Sequence, residues 1–351
     1  MNSLLISAFT FWKRWFWLGL GLTGVTLLSA ALSGLSALSS ATTPLLKRPL
    51  TSDEAAFFEQ GGSFTRQRLL LPGLSRPVNI LIMGMSVLTS DVQNSPQSSK
   101  NLGYLAQVNS FDGLSDVMFL VRFDPQTDFV SVLSIPRDTR VVTNAEGVIK
   151  INATNVLGGP AKSARVVSQL LFDIPIDRYI RVNVGGVQQL VDVLGGVTVN
   201  VPKDMKYTDE AQHLYINLKA GQQHLNGDQT LQLLRFRHDE QGDIGRIARQ
   251  QMVMQALLEQ KLNPITLARL PQILQVISSH LDSNLNGDEI VALLGFVVSA
   301  DRQKVRMFTL PGEANGDGHR GVSYWLPDDS RIQPLLKENF TPSSGIVKSQ
   351  Q

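Results

Sequence analysis

The amino-acid sequence predicts an α/β protein: a single mixed-sheet α/β/α layered domain behind an N-terminal transmembrane helix. Three observations predict it. Short apolar runs of strand length are interleaved with segments of helical periodicity through the body of the chain. Two of the strand-like runs are joined by a tight turn, so the sheet holds antiparallel as well as parallel neighbours. Residues 15 to 46 contain no charged side chain, and the part from Trp15 to Leu38 is strongly apolar. The 351 residues, 43% of them hydrophobic, suffice for one large domain with its own core.

The composition also excludes several function classes. Cysteine is absent, which removes disulfides, thiolate metal sites and a cysteine nucleophile together. The 32 Lys and Arg against 30 Asp and Glu leave a formal charge of +2, no global basic footprint for nucleic acid. The 5 histidines are scattered without an HExxH pair, which argues against a conventional zinc site. Chemistry is left to oxygen, guanidinium and a hard metal.

A helix needs about 20 apolar residues to cross a hydrocarbon core of about 30 Å, so residues 15–38 are long enough to span. Lys13 and Arg14 precede them, and Trp12, Trp15, Phe16 and Trp17 form an aromatic belt. The expected organisation is a cytoplasmic tail over 1–14, a signal anchor over 15–38 and the rest of the chain outside. Two other readings compete. A buried core helix is opposed by the lack of any polar face. A cleavable signal peptide is favoured by Ser39-Ser40-Ala41 but opposed by the length of the apolar run. Residues 39–75 read as a linker and entry segment, 76–342 as the domain and 343–351 as a polar tail.

Within the domain, Val78 to Met83 is a buried strand ended by Gly84. Residues 86–113 are polar and without pattern, a long loop. Asp116 to Phe123 and Phe129 to Ile135 are strands about the turn Asp124-Pro125-Gln126-Thr127. Ala161 to Phe172 is helical, Arg178 to Val184 a strand and Val187 to Leu194 a short helix. Gly195-Gly196 caps it before the strand Val197 to Val201. Helices follow over 226–234, 244–262, near 266–280 and 287–299, then a strand over 304–310 and a last helix near 327–340.

The densest functional signal is Leu234-Arg235-Phe236-Arg237 followed by Asp243, Arg246 and Gln250. On a helix beginning near Gly242, Asp243, Arg246 and Gln250 are spaced i, i+3, i+7 and share one stripe. Arg249 falls on another face and reads as a solvated arginine. Arg235 and Arg237 alternate on an extended segment, so their guanidinium groups point the same way. Arginines converging in this manner suit an anion, and Arg binds phosphate oxygens in bidentate fashion. An exposed salt-bridged helix face explains Asp243 and Arg246 equally well.

A second cluster, Ser134-Ile135-Pro136-Arg137-Asp138-Thr139, ends a strand in a turn. That puts Arg137 at a strand's C-terminal rim, where α/β sites form, unless it is a plain surface turn. Lys150-Ile151-Asn152-Ala153 follows, its lysine near a helix start. Asp116, opening its strand after Ser115, is well placed to hold a hard metal such as Mg²⁺.

Taken in order, these pieces resemble the LytR-CpsA-Psr family of envelope glycopolymer phosphotransferases, formerly named cell envelope-related transcriptional attenuators. The resemblance runs from about Asn79 to Phe340 and includes the N-terminal anchor. It rests on Asn79-Ile80-Leu81-Ile82-Met83-Gly84, Ser115-Asp116, Ser134-Ile135-Pro136-Arg137-Asp138 and Lys150-Ile151-Asn152-Ala153. It continues through Val191-Asp192-Val193-Leu194-Gly195-Gly196-Val197, Leu225-Asn226-Gly227, Arg235-Phe236-Arg237, Asp243, Arg246 and Arg249-Gln250-Gln251.

The resemblance implies transfer of a glycopolymer from a polyprenyl pyrophosphate carrier onto a cell-wall acceptor hydroxyl, with phosphodiester formation. It implies pyrophosphate binding by Arg137, Lys150, Arg235, Arg237, Arg246 and Gln250, a helix acid at Asp243, and Mg²⁺ on Asp116. The partners it implies are the carrier-linked glycan, the acceptor glycan and the cytoplasmic membrane, with no nucleic acid. Two positions depart from the pattern. Ser86 stands where the family often has Asp, and Leu114 stands where it usually has Arg. Asp91 and Asp112 are the loop acids that could compensate. A non-catalytic polyprenyl-phosphate-binding protein of the same fold is the alternative reading. A transcriptional attenuator would need a basic cytoplasmic element that a 14-residue tail does not supply.

Overall fold

Thr51 accepts a hydrogen bond from Glu54 N, and the Glu54 carboxylate accepts one from Thr51 N, a capping box that starts helix α1 (Ser52–Glu59). This helix lies inside the span read above as linker, and Leu45, Phe58 and Phe64 around it are buried. A ribbon of β1 (Thr65–Gln67) and β2 (Pro72–Leu74) follows. The computed structural model describes residues 45–67, 72–85, 111–210, 214–236, 242–259, 270–299, 304–314 and 323–340. The expected tail 1–14, the expected membrane span 15–38, the greater part of the long loop and the tail 343–351 lie outside them. Among the described residues no helix is long and apolar enough to cross a membrane.

The central sheet contains β3 (Val78–Met85), β4 (Ser115–Asp124), β5 (Phe129–Ser134), β8 (Arg178–Val182), β13 (Leu281–Ser283) and β14 (Val305–Thr309). Their order is β13-β8-β3-β4-β5-β14. β3 is parallel to β8 and β5 to β14, while β4 runs against both its neighbours and β13 against β8. The sheet is therefore mixed, as the alternation of hairpin and crossover signals requires. In the turn between β4 and β5, Asp124 Oδ1 accepts from Gln126 N at 2.9 Å, the local bond that makes Asp a turn former.

Both faces of the sheet are covered, which is why these strands read as nearly continuous apolar runs. Leu81, Met83, Met118, Leu120 and Leu133 turn to one core. Val78, Ile80, Phe119, Val121 and Val132 turn to the other. The two-residue period thus sorts each strand between two layers. Helix α2 (Thr154–Leu170) and helix α8 (Asp329–Asn339) cover the first face, helix α7 (Gly287–Ser299) the second. Burying a side chain such as Leu120 completely contributes roughly 1.5–3 kcal/mol.

α2 begins earlier than its apolar periodicity suggested. Its first turn, Thr154 to Leu157, is cut from the rest where Gly158 and Gly159 leave helical geometry, Gly159 with φ +67°. Pro160 then opens the longer part, where its fixed φ and missing N–H cost nothing.

A satellite layer carries a third core of Val191, Val199, Leu218, Leu233 and Val253. It is built from helix α3 (Val184–Leu194), β9 (Val197–Val201), β10 (Met205–Asp209), β11 (Leu214–Leu218), β12 (Gly221–Leu225) and helices α4 (Gly227–Arg235) and α5 (Gly242–Glu259). β9 pairs with β12 and β10 with β11, both antiparallel. Gly195, left-handed at φ 91°, ends α3 where the Gly-Gly pair predicted a cap. Helix α6 (Leu270–His280) and the ribbon β15 (Gly312–Ala314) with β16 (Trp325–Pro327) complete the described elements.

Candidate active site

The strand directions bring the C-terminal ends of β3, β5, β8 and β14 to the same rim as the N-terminal ends of β4 and β13. Asp116 sits on that rim in a β-bulge. The register steps from Gly84 opposite Val117 to Met85 opposite Ser115, so Asp116 is the extra residue of β4. A bulge re-aims a side chain at the end of a ladder. The close pairing also leaves no room beside Gly84, where a Cβ would meet that of Val117 at 2.9 Å.

Arg137 stands three residues beyond β5, and the turn that carries it is locked by its backbone. Thr139 donates through N and Oγ1 to the Pro136 carbonyl at 3.0 and 2.6 Å. The Arg137 carbonyl accepts from Asn152 N at 3.2 Å, and the Asp138 carbonyl from Trp325 N at 2.9 Å. These bonds tie the turn to the segment after Lys150 and to β16. They explain why Pro-Arg-Asp-Thr and Lys-Ile-Asn-Ala belong to one structure. Lys150 itself ends a hairpin of β6 (Arg140–Thr143) and β7 (Gly147–Lys150).

The side chains then converge. Arg137 Nη1 donates to Asp116 Oδ1 at 3.1 Å. Arg137 Nε lies 3.5 Å from Asp138 Oδ2, and Lys150 Nζ lies 2.8 Å from Asp138 Oδ1. The ammonium also stands 5.8 Å from the centre of the Tyr324 ring, within cation–π range. Asp116 is buried, whereas Arg137, Asp138 and Lys150 keep part of their side chains in solvent. A half-exposed chain of alternating charges at a sheet's rim can exchange one of its carboxylates for a phosphate oxygen. Asp138, read from sequence only as a turn residue, is the member that sequence reasoning missed. Its signal was its place between the two cations.

Of the predicted residues, Asp116, Arg137 and Lys150 are therefore together. Arg246 and Gln250 are buried on α5. Gln251 Nε2 donates to the Phe308 carbonyl at 3.2 Å and to Thr309 Oγ1 at 3.0 Å. Thr309 is paired with Ser134, so α5 is fastened at the rim from which Arg137 extends. Arg235 differs from expectation, being the last residue of α4 rather than part of an extended segment. The Asn226–Gln229 capping box and the buried Thr230 and Leu233 carry helical geometry through it. A cation in the last turn also suits the helix dipole. Phe236 is the extended residue, at φ −62° and ψ 127°. Arg237 and the side chain of Asp243 lie outside the described residues, as do Ser86 and Asp91.

Arg249 requires a correction. It is not solvated but buried, donating through Nη2 to the Phe236 carbonyl with its guanidinium 5.6 Å from the Phe236 ring centre. Helical spacing alone left its face of α5 to solvent. That face meets the end of α4.

At the other departure, Leu114 is half-buried directly before Ser115, and Asp112 is exposed. Asn155 Nδ2 donates to the Phe111 and Gly113 carbonyls at 2.9 and 2.8 Å. Arg181 Nη1 reaches the same Phe111 carbonyl at 3.0 Å while its Nε holds Asp282 at 2.7 Å. The exit of the long loop is thus fixed just before Asp116. Among the described residues no group of three or more His, Asp or Glu is clustered for a metal. Mg²⁺ commonly takes one or two protein carboxylates and completes its shell with water and phosphate oxygens, a set in which Asp116 would be the carboxylate.

Comparison with known proteins agrees with this architecture. Over 244 residues the chain is 31% identical to a Bacillus subtilis (strain 168) protein named polyisoprenyl-teichoic acid–peptidoglycan teichoic acid transferase TagV, covering 66% of this chain. That alignment spans 62% of the relative, just under two thirds of its length. A Bacillus cereus (strain AH820) protein with the same transferase description, TagU, is 28% identical over 337 residues, covering 93% of this chain and 96% of its own. The crystal structure of B. subtilis TagV matches with a TM-score of 0.61 at 27% identity, over 76% of this chain and 99% of that one. Residues 63–341 match the pattern of the LytR_cpsA_psr family, and the chain belongs to that family.

Proposed function

We propose that this protein is a membrane-anchored phosphotransferase that moves a glycopolymer from a polyprenyl pyrophosphate carrier onto a cell-wall acceptor. The observation that supports it most directly is the Asp116–Arg137–Asp138–Lys150 chain of charges at the sheet's rim. Phosphoryl transfer asks little covalent work of a protein; it needs dispersed negative charge neutralised and the reacting oxygens held in line. The acceptor hydroxyl would form a new O–P bond at the sugar-linked phosphorus while the bridging P–O bond breaks. Polyprenyl phosphate leaves, and the hydroxyl proton is lost to solvent or to that phosphate.

In this reading Arg137 and Lys150 turn from their carboxylates towards the pyrophosphate, joined by Arg235, Arg237, Arg246 and Gln250. Four of these groups are arginines, so charge accumulating on the leaving phosphate meets fixed donors rather than mobile water. Asp116 would hold Mg²⁺, which would supply further neutralisation of the pyrophosphate. Asp243 would serve as the helix acid. The apolar segment 15–38 would anchor the chain with residues beyond about 45 outside the cytoplasmic membrane, and no nucleic acid takes part.

Leu114 favours a second reading, a protein that holds the polyprenyl phosphate lipid without turnover, since an apolar side chain stands where the family usually has a cation. One experiment tests both. The full chain in detergent or vesicles is given a polyprenyl pyrophosphate-linked glycan, and lipid binding and polyprenyl phosphate release are measured with and without acceptor. Release with transfer supports the enzyme. Tight binding with no release supports the second reading, and neither binding nor release overturns both.

A further inference from the structure

The ribbon β6–β7 has two unlike faces. Val141 is buried and its cross-strand partner Ile149 packs on the first core. On the other face, Val142 and Val148 are cross-strand partners, 64% and 44% exposed. One pair further along the same face stand Arg140 and Lys150, also partners. The outward face therefore carries two valines towards the tip and two cations towards the base, a two-residue step of about 7 Å apart.

A second exposed apolar pair lies on the short first turn of α2, where Val156 and Leu157 are 41% and 44% exposed. The ribbon's turn and α2 are joined. Lys162 forms an ion pair with Glu146 in the ribbon's turn. Its stem lies over Gly158, where a Cβ would come within 2.6 Å of Lys162 Cδ. Among the described residues only Phe172 and Tyr215 are other large hydrophobics exposed to this degree. The remaining charges at the edge are Arg48, whose Nη2 lies 3.3 Å from Glu54, and the Glu146–Lys162 pair. The patch thus has a cationic fringe in surplus by one charge: Arg48 faces Glu54, Lys162 faces Glu146 and Lys150 faces Asp138, with exposed Arg140 in addition.

The position of Arg48 points to what covers the patch. Its Nη2 lies 3.8 Å from where a Cβ on Gly159 would stand, beside Val156 and Leu157. It is also the tenth residue after the apolar stretch that ends at Leu38. Ten residues of chain reach at most about 35 Å, so this face can lie no farther than that from the end of the stretch. We propose that the β6–β7 ribbon and the first turn of α2 form a membrane-docking surface. Val142, Val148, Val156 and Leu157 enter the interfacial layer of an anionic lipid bilayer, and Arg48, Arg140 and Lys150 meet its headgroup phosphates. Apolar side chains below a basic fringe are the pattern by which a surface element seats at that interface. Docking of this kind puts Lys150, and through Asp138 also Arg137, at headgroup height, where a membrane-borne pyrophosphate resides. The inference rests on the membrane-anchored reading above.

The absence of cysteine makes the test clean. Single cysteines replacing Val142, Val148 or Leu157, with Tyr215→Cys as the control, carry an environment-sensitive dye on the full chain in vesicles containing phosphatidylglycerol. The first three labels should shift to an apolar environment and be quenched by nitroxide on the lipid chains, while the label at 215 stays aqueous. Labels at 142, 148 and 157 that match the one at 215 would overturn the proposal. So would a shift that grows with protein density without lipid quenching, which would assign the patch to a second copy. The double variant Val142→Asp, Val148→Asp should lower turnover of a long-chain, bilayer-borne substrate about tenfold and leave a short-chain soluble one unchanged. Equal rates on the bilayer substrate would also overturn it. If the natural chain turns over neither substrate, the catalytic reading fails, and the quenching still decides the docking.

Discussion

Asp138 holds Arg137 and Lys150 at once: its Oδ1 lies 2.8 Å from the lysine Nζ and its Oδ2 3.5 Å from the arginine Nε. One carboxylate thus keeps two cations apart by a fixed span while its own backbone carbonyl is held by Trp325. Its charge opposes an incoming anion, yet its geometry serves one.

Asp138→Asn separates these two effects. Removing the charge should leave pyrophosphate-lipid affinity no weaker, because two cations lose a competitor. Turnover should fall about tenfold, because the cations lose the span that places them. Titration calorimetry with the lipid and phosphate-release rates check the split. Affinity weakened as much as by Lys150→Ala would show that Asp138 is needed for binding itself.

Arg249→Ala should be far from neutral. It removes a charge-assisted bond to the Phe236 carbonyl and the guanidinium over that ring, about 2–3 kcal/mol together. Phe236 stands between Arg235 and Arg237, so lipid binding should weaken as well, although Arg249 need not touch the lipid. Thermal unfolding reads the first effect and lipid affinity the second. An unchanged Tm would sink the positioning role.

Arg249 also marks how far sequence carries. Helical spacing puts Arg246 and Gln250 four residues apart on one stripe, with Arg249, three residues from Arg246, at its side. It could not tell that the face holding Arg249 is covered, because the covering residue, Phe236, lies just beyond the end of α4. Central strands were legible because both faces are buried and the apolar runs stand out. The ribbon β6–β7 was not, since its outward face also carries apolar residues, Val142 and Val148, so that no two-residue alternation shows. Within the site, Pro-Arg-Asp and Lys-Ile-Asn announced themselves as separate turns. Only the bonds Asn152 N to the Arg137 carbonyl and Lys150 to Asp138 make them one site. The bulge at Asp116 left no trace in sequence, because a register step depends on the pairing of two strands.

Asp116→Asn should separate metal from lipid. If Mg²⁺ is held by this single carboxylate, the amide should abolish the part of phosphate release that a chelator removes from the natural chain. Lipid binding through Arg137 and the other cations should persist at a reduced level. Leu114→Arg adds a cation one residue before Ser115 and should raise release. Should chelator and Asp116→Asn both leave release unchanged, metal assistance at this position is wrong, whatever the arginines do.

Tyr179 should make the fold sensitive to alkali. Its side chain is buried against Phe58, with ring centroids 5.4 Å apart, under the Arg181–Asp282 pair. Burial raises its phenol above the ordinary tyrosine value, and the Asp282 carboxylate raises it further. A folded-state value above the unfolded one means that the protonated form is favoured on folding. That contribution is complete below the unfolded value of about 10 and is lost as pH rises through the folded one. Stability should therefore fall above pH about 10, through a window where surface lysines also titrate. Tyr179→Phe removes the phenol but not the lysines, so comparing denaturation midpoints at pH 9 and 11 isolates its share. The natural chain should lose more stability between these two values than the phenylalanine variant. Equal losses would mean that Tyr179 ionises in place, with its proton lost to water that reaches the core beside Asp282.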